Sequence, residues 1–197
     1  METDLMVLTE KLLEHIPENL RLKENDIKVL NDHLDFFLSK ADIIVKDFYD
    51  TLFSNEATRK VFHEGERPIR EKSLAEWVVK TIGGKFDKDY WAWQTFVGIL
   101  HIKRKVTNDY MLIMMHRISD LVIGEAYKDL PADEAAALKT AWLKLAGIVL
   151  SLISESYHYF YLVAISQTTG INLNLLDNLV RVEVDNLLEA NKKYRLI

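Results

Sequence analysis

The run Trp93-Gln94-Thr95-Phe96-Val97-Gly98-Ile99-Leu100-His101-Ile102-Lys103-Arg104 decides how the chain is read. Asp87 suits the N-cap position of a helix expected from 88 to about 104. Trp93, Val97 and His101 recur every four residues and therefore share one face of that helix. His101 thus projects from an apolar, aromatic surface. A buried imidazole there needs a partner for its nitrogen. Two partners fit: a backbone carbonyl, as for a core histidine, or the metal of a flat apolar cofactor. Periodicity alone leaves both open.

Outward from this helix the chain stays helical. A short helix and connector are expected over 1–22, with Leu8, Leu12, Leu13 and Ile16 at helical spacing and Pro17 as a break. A second helix is expected over 23–35. The next, over 36–54, carries the stripe Phe37, Ala41, Ile44, Phe48 and Leu52, with Tyr49 beside it. Residues 55–68 read as irregular or weakly helical. A helix over 69–82 should end at Gly83-Gly84. Beyond His101 lie a link at Val106-Thr107-Asn108, an amphipathic helix over 109–123 and a loop from Gly124 to Pro131. The longest helix is expected over 133–168, and the last, over 172–193, has the near-heptad stripe Leu173, Leu176, Val180, Val184 and Leu187. No convincing strand is present.

Composition narrows the function. Seven glycines and three prolines in 197 residues leave few breaks, as long helices require. Apolar residues at 49% and charged residues at 28% suit one soluble globular core. The net charge of -5 argues against non-specific nucleic-acid binding. The absence of cysteine removes disulfides, zinc-thiolate sites, iron–sulfur clusters and covalent c-type haem attachment. The N-terminus lacks the pattern of a signal peptide, and no apolar run is read as a membrane span, so no membrane association and a cytoplasmic location are expected.

The six histidines show no His-x-x-x-His spacing, and there is no P-loop, Gly-x-Gly-x-x-Gly or Gly-x-Ser-x-Gly motif. Tyr49, on its apolar stripe, needs a partner for its hydroxyl. A neighbouring helix or a bound diatomic ligand would serve equally. His63, directly after Phe62, is either a solvent-facing loop residue or a second ligand able to swing inward. His158 lies in Tyr157-His158-Tyr159-Phe160-Tyr161, a cluster that suits core or interface.

Several segments taken together resemble the protoglobins and the globin domains of globin-coupled sensors. They are Phe48-Tyr49-Asp50-x-Leu52-Phe53, then Phe62, then Trp77, then Phe86-Asp87-x-x-Tyr90, then Val97-Gly98-Ile99-Leu100-His101-Ile102-Lys103, and finally Tyr110-Met111. The resemblance covers roughly residues 24–168. Lys103-Arg104-Lys105, in place of the Arg-Ile-Gly more usual after the histidine, departs from the pattern, as does Arg70.

The resemblance implies an all-α globin fold of the three-over-three helical sandwich type, with an extra N-terminal helix over 1–22, the globin domain over 23–170 and a C-terminal helix or linker over 171–197. It implies a haem b cofactor with His101 as iron ligand. Tyr49, Leu74 and Arg70 would lie on the distal, gas-binding side. Phe62, Trp77, Val97, Tyr110, Met111 and Met114 would line the haem, and Lys103 would reach a propionate. It further implies a diatomic gas ligand (O2, CO or NO), a homodimer through the long C-terminal helices, and a signalling output domain or partner elsewhere. A haem-free signalling module on the same fold, and a haem enzyme such as a nitric oxide dioxygenase or a peroxidase, are the competing functions. The expectation leans away from an enzyme.

Overall fold

The computed structural model describes residues 4–83 and 85–194. The N-terminal Met1-Glu2-Thr3 and Gly84 of the expected Gly83-Gly84 stop lie outside the described residues. No strand occurs among them. The helices are α1 (Leu5–Glu14), α2 (Glu24–Asp32), α3 (Leu34–Ser54), α4 (Glu56–Arg59), α5 (Arg67–Ile82), α6 (Lys88–Arg104), α7 (Asn108–Asp129), α8 (Ala132–Thr169) and α9 (Leu173–Ala190).

Short polar side chains start these helices where the sequence offers them. Asp4 accepts from the Met6 amide, Asn55 from Ala57, Asp87 from Tyr90 and Asn172 from Asn174. Each satisfies an amide that a helix N-terminus leaves without a partner. Pro68 sits in the first turn of α5, where its missing N–H costs nothing. α6 ends at Lys105, which takes the left-handed conformation (φ 57°). That turn lets the Val106 amide donate to the His101 carbonyl at 3.0 Å, closing the helix one turn beyond the histidine.

Two stretches differ from the sequence expectation. α7 continues through Gly124 to Asp129 where a loop was expected from residue 124. Its buried stripe Ile118, Val122 and Ala126 carries across the glycine. Burial of that stripe outweighs the roughly 1 kcal/mol that a mid-helix glycine costs. Lys40 adds ion pairs to Glu125 and Asp129 at 3.0 and 2.6 Å. α8, secondly, is long and apolar enough to cross a membrane by length and composition, contrary to the reading above. Half of its most apolar window is buried inside the protein. A core helix of this length has the same composition.

The chain forms two compact units, one up to Tyr157 and one from His158 onward. The division falls inside α8, whereas the sequence suggested boundaries near residues 22 and 171. In the first unit α3 packs on α5 and α7, and α1 packs on α6. Thr9 of α1 donates to Thr95 of α6 at 2.8 Å, so the N-terminal helix is fastened to the helix that carries His101. Trp142, Phe37, Leu30, Leu138 and Leu145 fill the centre of this unit. α6 also lies against α8 at very close range. A Cβ built on Gly98 would meet Ser156 Oγ at 2.1 Å, Ile153 O at 2.6 Å and Tyr157 N at 2.9 Å. Only glycine permits that approach. The second unit holds the end of α8, a turn at Gly170 (φ 73°), and α9. In it Ser166 Oγ donates to the Ile171 carbonyl at 2.6 Å, and the apolar side chains Leu175, Leu179, Val182 and Leu187 of α9 are exposed.

Candidate functional site

A cavity of about 350 Å³ opens among α3, α5, α6, α7 and α8 of the first unit. That volume is within the range of small-molecule sites. Its walls are mostly apolar, with a few polar groups at one side.

His101 lines it from α6. The Nδ1 of the ring lies 2.8 Å from the carbonyl of Val97, one turn back. A carbonyl can only accept, so Nδ1 carries the proton and donates. Among the described residues Nε2 makes no hydrogen bond. Burial lowers the pKa of the ring, against a smaller opposing effect of the Val97 bond. The side chain is therefore neutral, with its tautomer fixed and a lone pair on Nε2 at a cavity wall. Of the two partners open to His101, the backbone carbonyl takes one nitrogen and leaves the other for a ligand.

Tyr49 lines the cavity from α3 and is buried. Its hydroxyl donates to the Arg70 carbonyl on α5 at 2.8 Å, the neighbouring-helix partner foreseen from its place on the stripe. Desolvation pushes its pKa up to about 12, so the proton stays on oxygen. Phe62 meets it edge to face, 5.9 Å between centroids, and stacks on Phe53 at 5.1 Å. Leu74 and Trp77 continue the α5 wall. Trp77 Nε1 donates to Gln94 Oε1 at 3.1 Å. Gln94 is fully buried on α6, and this bond ties the α5 wall to the helix of His101.

Val97, Tyr110, Met111 and Met114 also line the cavity. Lys103 does not: it is exposed, and Arg104 lines the cavity instead. Helical geometry gives the reason. Lys103, two residues from His101, points to the opposite side of α6, whereas Arg104, three residues on, shares its face. The same wheel would have found Arg104 from the sequence. Arg70 lines the cavity and pairs with Glu66 through Nη2 at 2.5 Å. His63 is exposed and meets Glu66 through its backbone: its amide donates to Glu66 Oε2 at 3.0 Å and its carbonyl accepts from the Glu66 amide at 3.1 Å. Leu150 and Ile153 of α8 close the far side and were not foreseen. They lie on a helix whose whole stripe is apolar, so nothing in the sequence separates them from plain core. Among the described residues no group of His, Asp and Glu side chains could hold a metal ion unaided.

Comparison with known proteins follows the same lines. The profile of the protoglobin family matches residues 9–160, well over half of the 197-residue chain. The structure is similar to the globin domain of the Geobacter sulfurreducens globin-coupled sensor, at TM-score 0.68 and 19% identity, covering 75% of this chain and 96% of that one. It is also similar to the globin domain of E. coli DosC in its ferric and ferrous forms, each at TM-score 0.58 and 10% identity, covering 77% of this chain and 98% of the other. At these identities the likeness shows the fold, an all-α globin fold. No match was found among curated protein sequences.

Proposed function

The chain belongs to the protoglobin family, and we propose that it is a haem-binding globin that holds a diatomic gas reversibly at an iron ligated by His101. The observation that carries this reading is the His101 ring: Nδ1 is fixed by the Val97 carbonyl and Nε2 is free at an apolar cavity wall. A metal-binding histidine is generally oriented in this way by a bond from its other nitrogen.

Haem b, when bound, would supply an iron on which O2, CO or NO is held. The chain's own residues do the rest. The Val97 carbonyl orients the imidazole and keeps Nε2 unprotonated. Leu74, Val97, Met111 and Met114 keep water away from the ligation site. Phe62 and Trp77 offer flat apolar surfaces to a porphyrin. Tyr49 holds a protonated hydroxyl that can donate one hydrogen bond to a polar ligand in exchange for the one it gives to Arg70. Arg104 and Arg70, both at the cavity, are the cations suited to the haem carboxylates, rather than Lys103, to which the resemblance points.

The same reading includes a homodimer through α7 and α8, supported by exposed Leu112 and Ile113 on α7 and Leu143 on α8. It also includes a role as a gas sensor whose output lies in another domain or partner. Carbon monoxide tests the gas-binding claim. Added to the reduced haem-loaded protein, it should sharpen and shift the Soret band at one equivalent per haem. An unchanged spectrum would remove gas binding while leaving haem binding standing.

A further inference from the structure

The charges at the cavity edge take no part in ligation, yet they are arranged with unusual economy. Glu66, at the start of α5, is 9% exposed. Its Oε2 accepts from Arg104 Nη2 at 2.6 Å and from the His63 amide at 3.0 Å. Its Oε1 accepts from Arg70 Nε at 2.7 Å. Both guanidiniums line the cavity, one from α5 and one from α6. One carboxylate thus serves two arginines, and the trio keeps a net positive charge. Arg104, the largest influence, holds the Glu66 carboxyl well below its ordinary range, at about 2, so it stays ionised.

The triad itself is weak evidence for stability, because Glu66 is buried while Arg70 and Arg104 stay 35% and 26% exposed, and desolvation of the carboxylate offsets much of the attraction. Two of its members line an apolar cavity, which points to a different use. Two guanidiniums that share one carboxylate can each turn their N–H groups to another carboxylate and donate to it in bidentate fashion, giving up Glu66. Haem b brings two such groups on an apolar body.

We propose that Glu66 is an internal stand-in for a haem carboxylate: it holds Arg70 and Arg104 at the cavity wall in the haem-free chain and competes with the haem carboxylates for them. This rests on the haem reading above. Glu66 therefore weakens haem retention while it orders the empty pocket. A merely structural Glu66 would do the reverse and strengthen retention by positioning the arginines.

The test uses the full chain loaded with haem and an excess of a haem scavenger. Loss is followed by absorbance, and the thermal midpoint of the haem-free protein is measured in parallel. Glu66→Gln should lower the haem-free midpoint yet slow haem loss at least threefold. Arg104→Gln should speed haem loss. Glu66→Asp keeps the charge but draws it back by one methylene; it should slow loss by less than Glu66→Gln and serves if that variant does not fold. Loss that is unchanged or faster in the Glu66 variants overturns the proposal and leaves haem binding intact. A wild-type chain that takes up no haem overturns both.

Discussion

The wall around His101 and the edge around Glu66 bound one cavity by opposite means. The wall works by exclusion: apolar side chains from several helices leave a single imidazole nitrogen without a partner. The edge works by saturation, since both oxygens of Glu66 are occupied and both arginines engaged. An unpaired nitrogen in an apolar setting is an invitation to a ligand, whereas a filled ion cluster has to be opened by one. The difference teaches that one part of the pocket lining is poised for a ligand and another is latched by its own ion pairs.

The strongest way to break the comparison is to move the wall bodily. Gly98→Val would drive its side chain into the backbone of α8 at Ile153 and Tyr157, three residues before His101. Overpacking of this kind costs about 1–3 kcal/mol. The expected outcome is a lower thermal midpoint together with weaker haem retention. A variant with normal stability and haem retention would show that the close approach of α6 and α8 does not hold the histidine in place.

Tyr49→Phe sharpens the comparison, because Tyr49 belongs to both regions: its ring is part of the wall and its hydroxyl rests on Arg70. Loss of the bond to the Arg70 carbonyl should cost about 1 kcal/mol of stability. Stopped-flow release of dioxygen from the haem-loaded variant should be roughly tenfold faster, with carbon monoxide binding spared. Equal release rates in the two proteins would take Tyr49 out of ligand stabilisation and leave it as a helix tie.

A further test separates the two regions by pH. The pKa of His101 is lowered on folding from its ordinary 6.5, so the unfolded chain takes up the proton first and stability falls as pH drops below that value. Glu66 falls on folding from 4.5 to about 2, so its contribution is complete above pH 4.5 and is lost as pH falls through that window. Each group alone gives at most about 1.4 kcal/mol per pH unit. Denaturant titrations of the haem-free protein should show two limbs, the first shallower in His101→Gln and the second shallower in Glu66→Gln, where Asp26, Asp50 and Glu125, also held below the usual carboxylate range, still contribute. A single limb unaffected by either variant would contradict both shifts.

The wall was largely legible in the sequence and the edge was not. Four-residue spacing put Trp93, Val97 and His101 on one face, and the apolar stripes of α3 and α7 brought Tyr49 and Met114 with them. Helical spacing also puts Arg104 on the face of His101, but no periodic signal joins it to Glu66. Arg104 and Glu66 are 38 residues apart, and a charge run after a helix reads as a solvated end. The resemblance points to Lys103 for the carboxylate role, whereas the helix turns its side chain away from the cavity that Arg104 lines. The extension of α7 past Gly124 escaped notice for a related reason: local propensity is weak there, and burial of Val122 and Ala126 overrides it.

The central claim is that His101 is the iron ligand of a haem pocket. Titration of the haem-free protein with haem, followed at the Soret band beside His101→Ala, tests it most directly. The account predicts saturation at one haem per chain in the wild type and a weakened or spectrally altered band in the variant. Identical Soret bands and equal haem retention in the two proteins would contradict it.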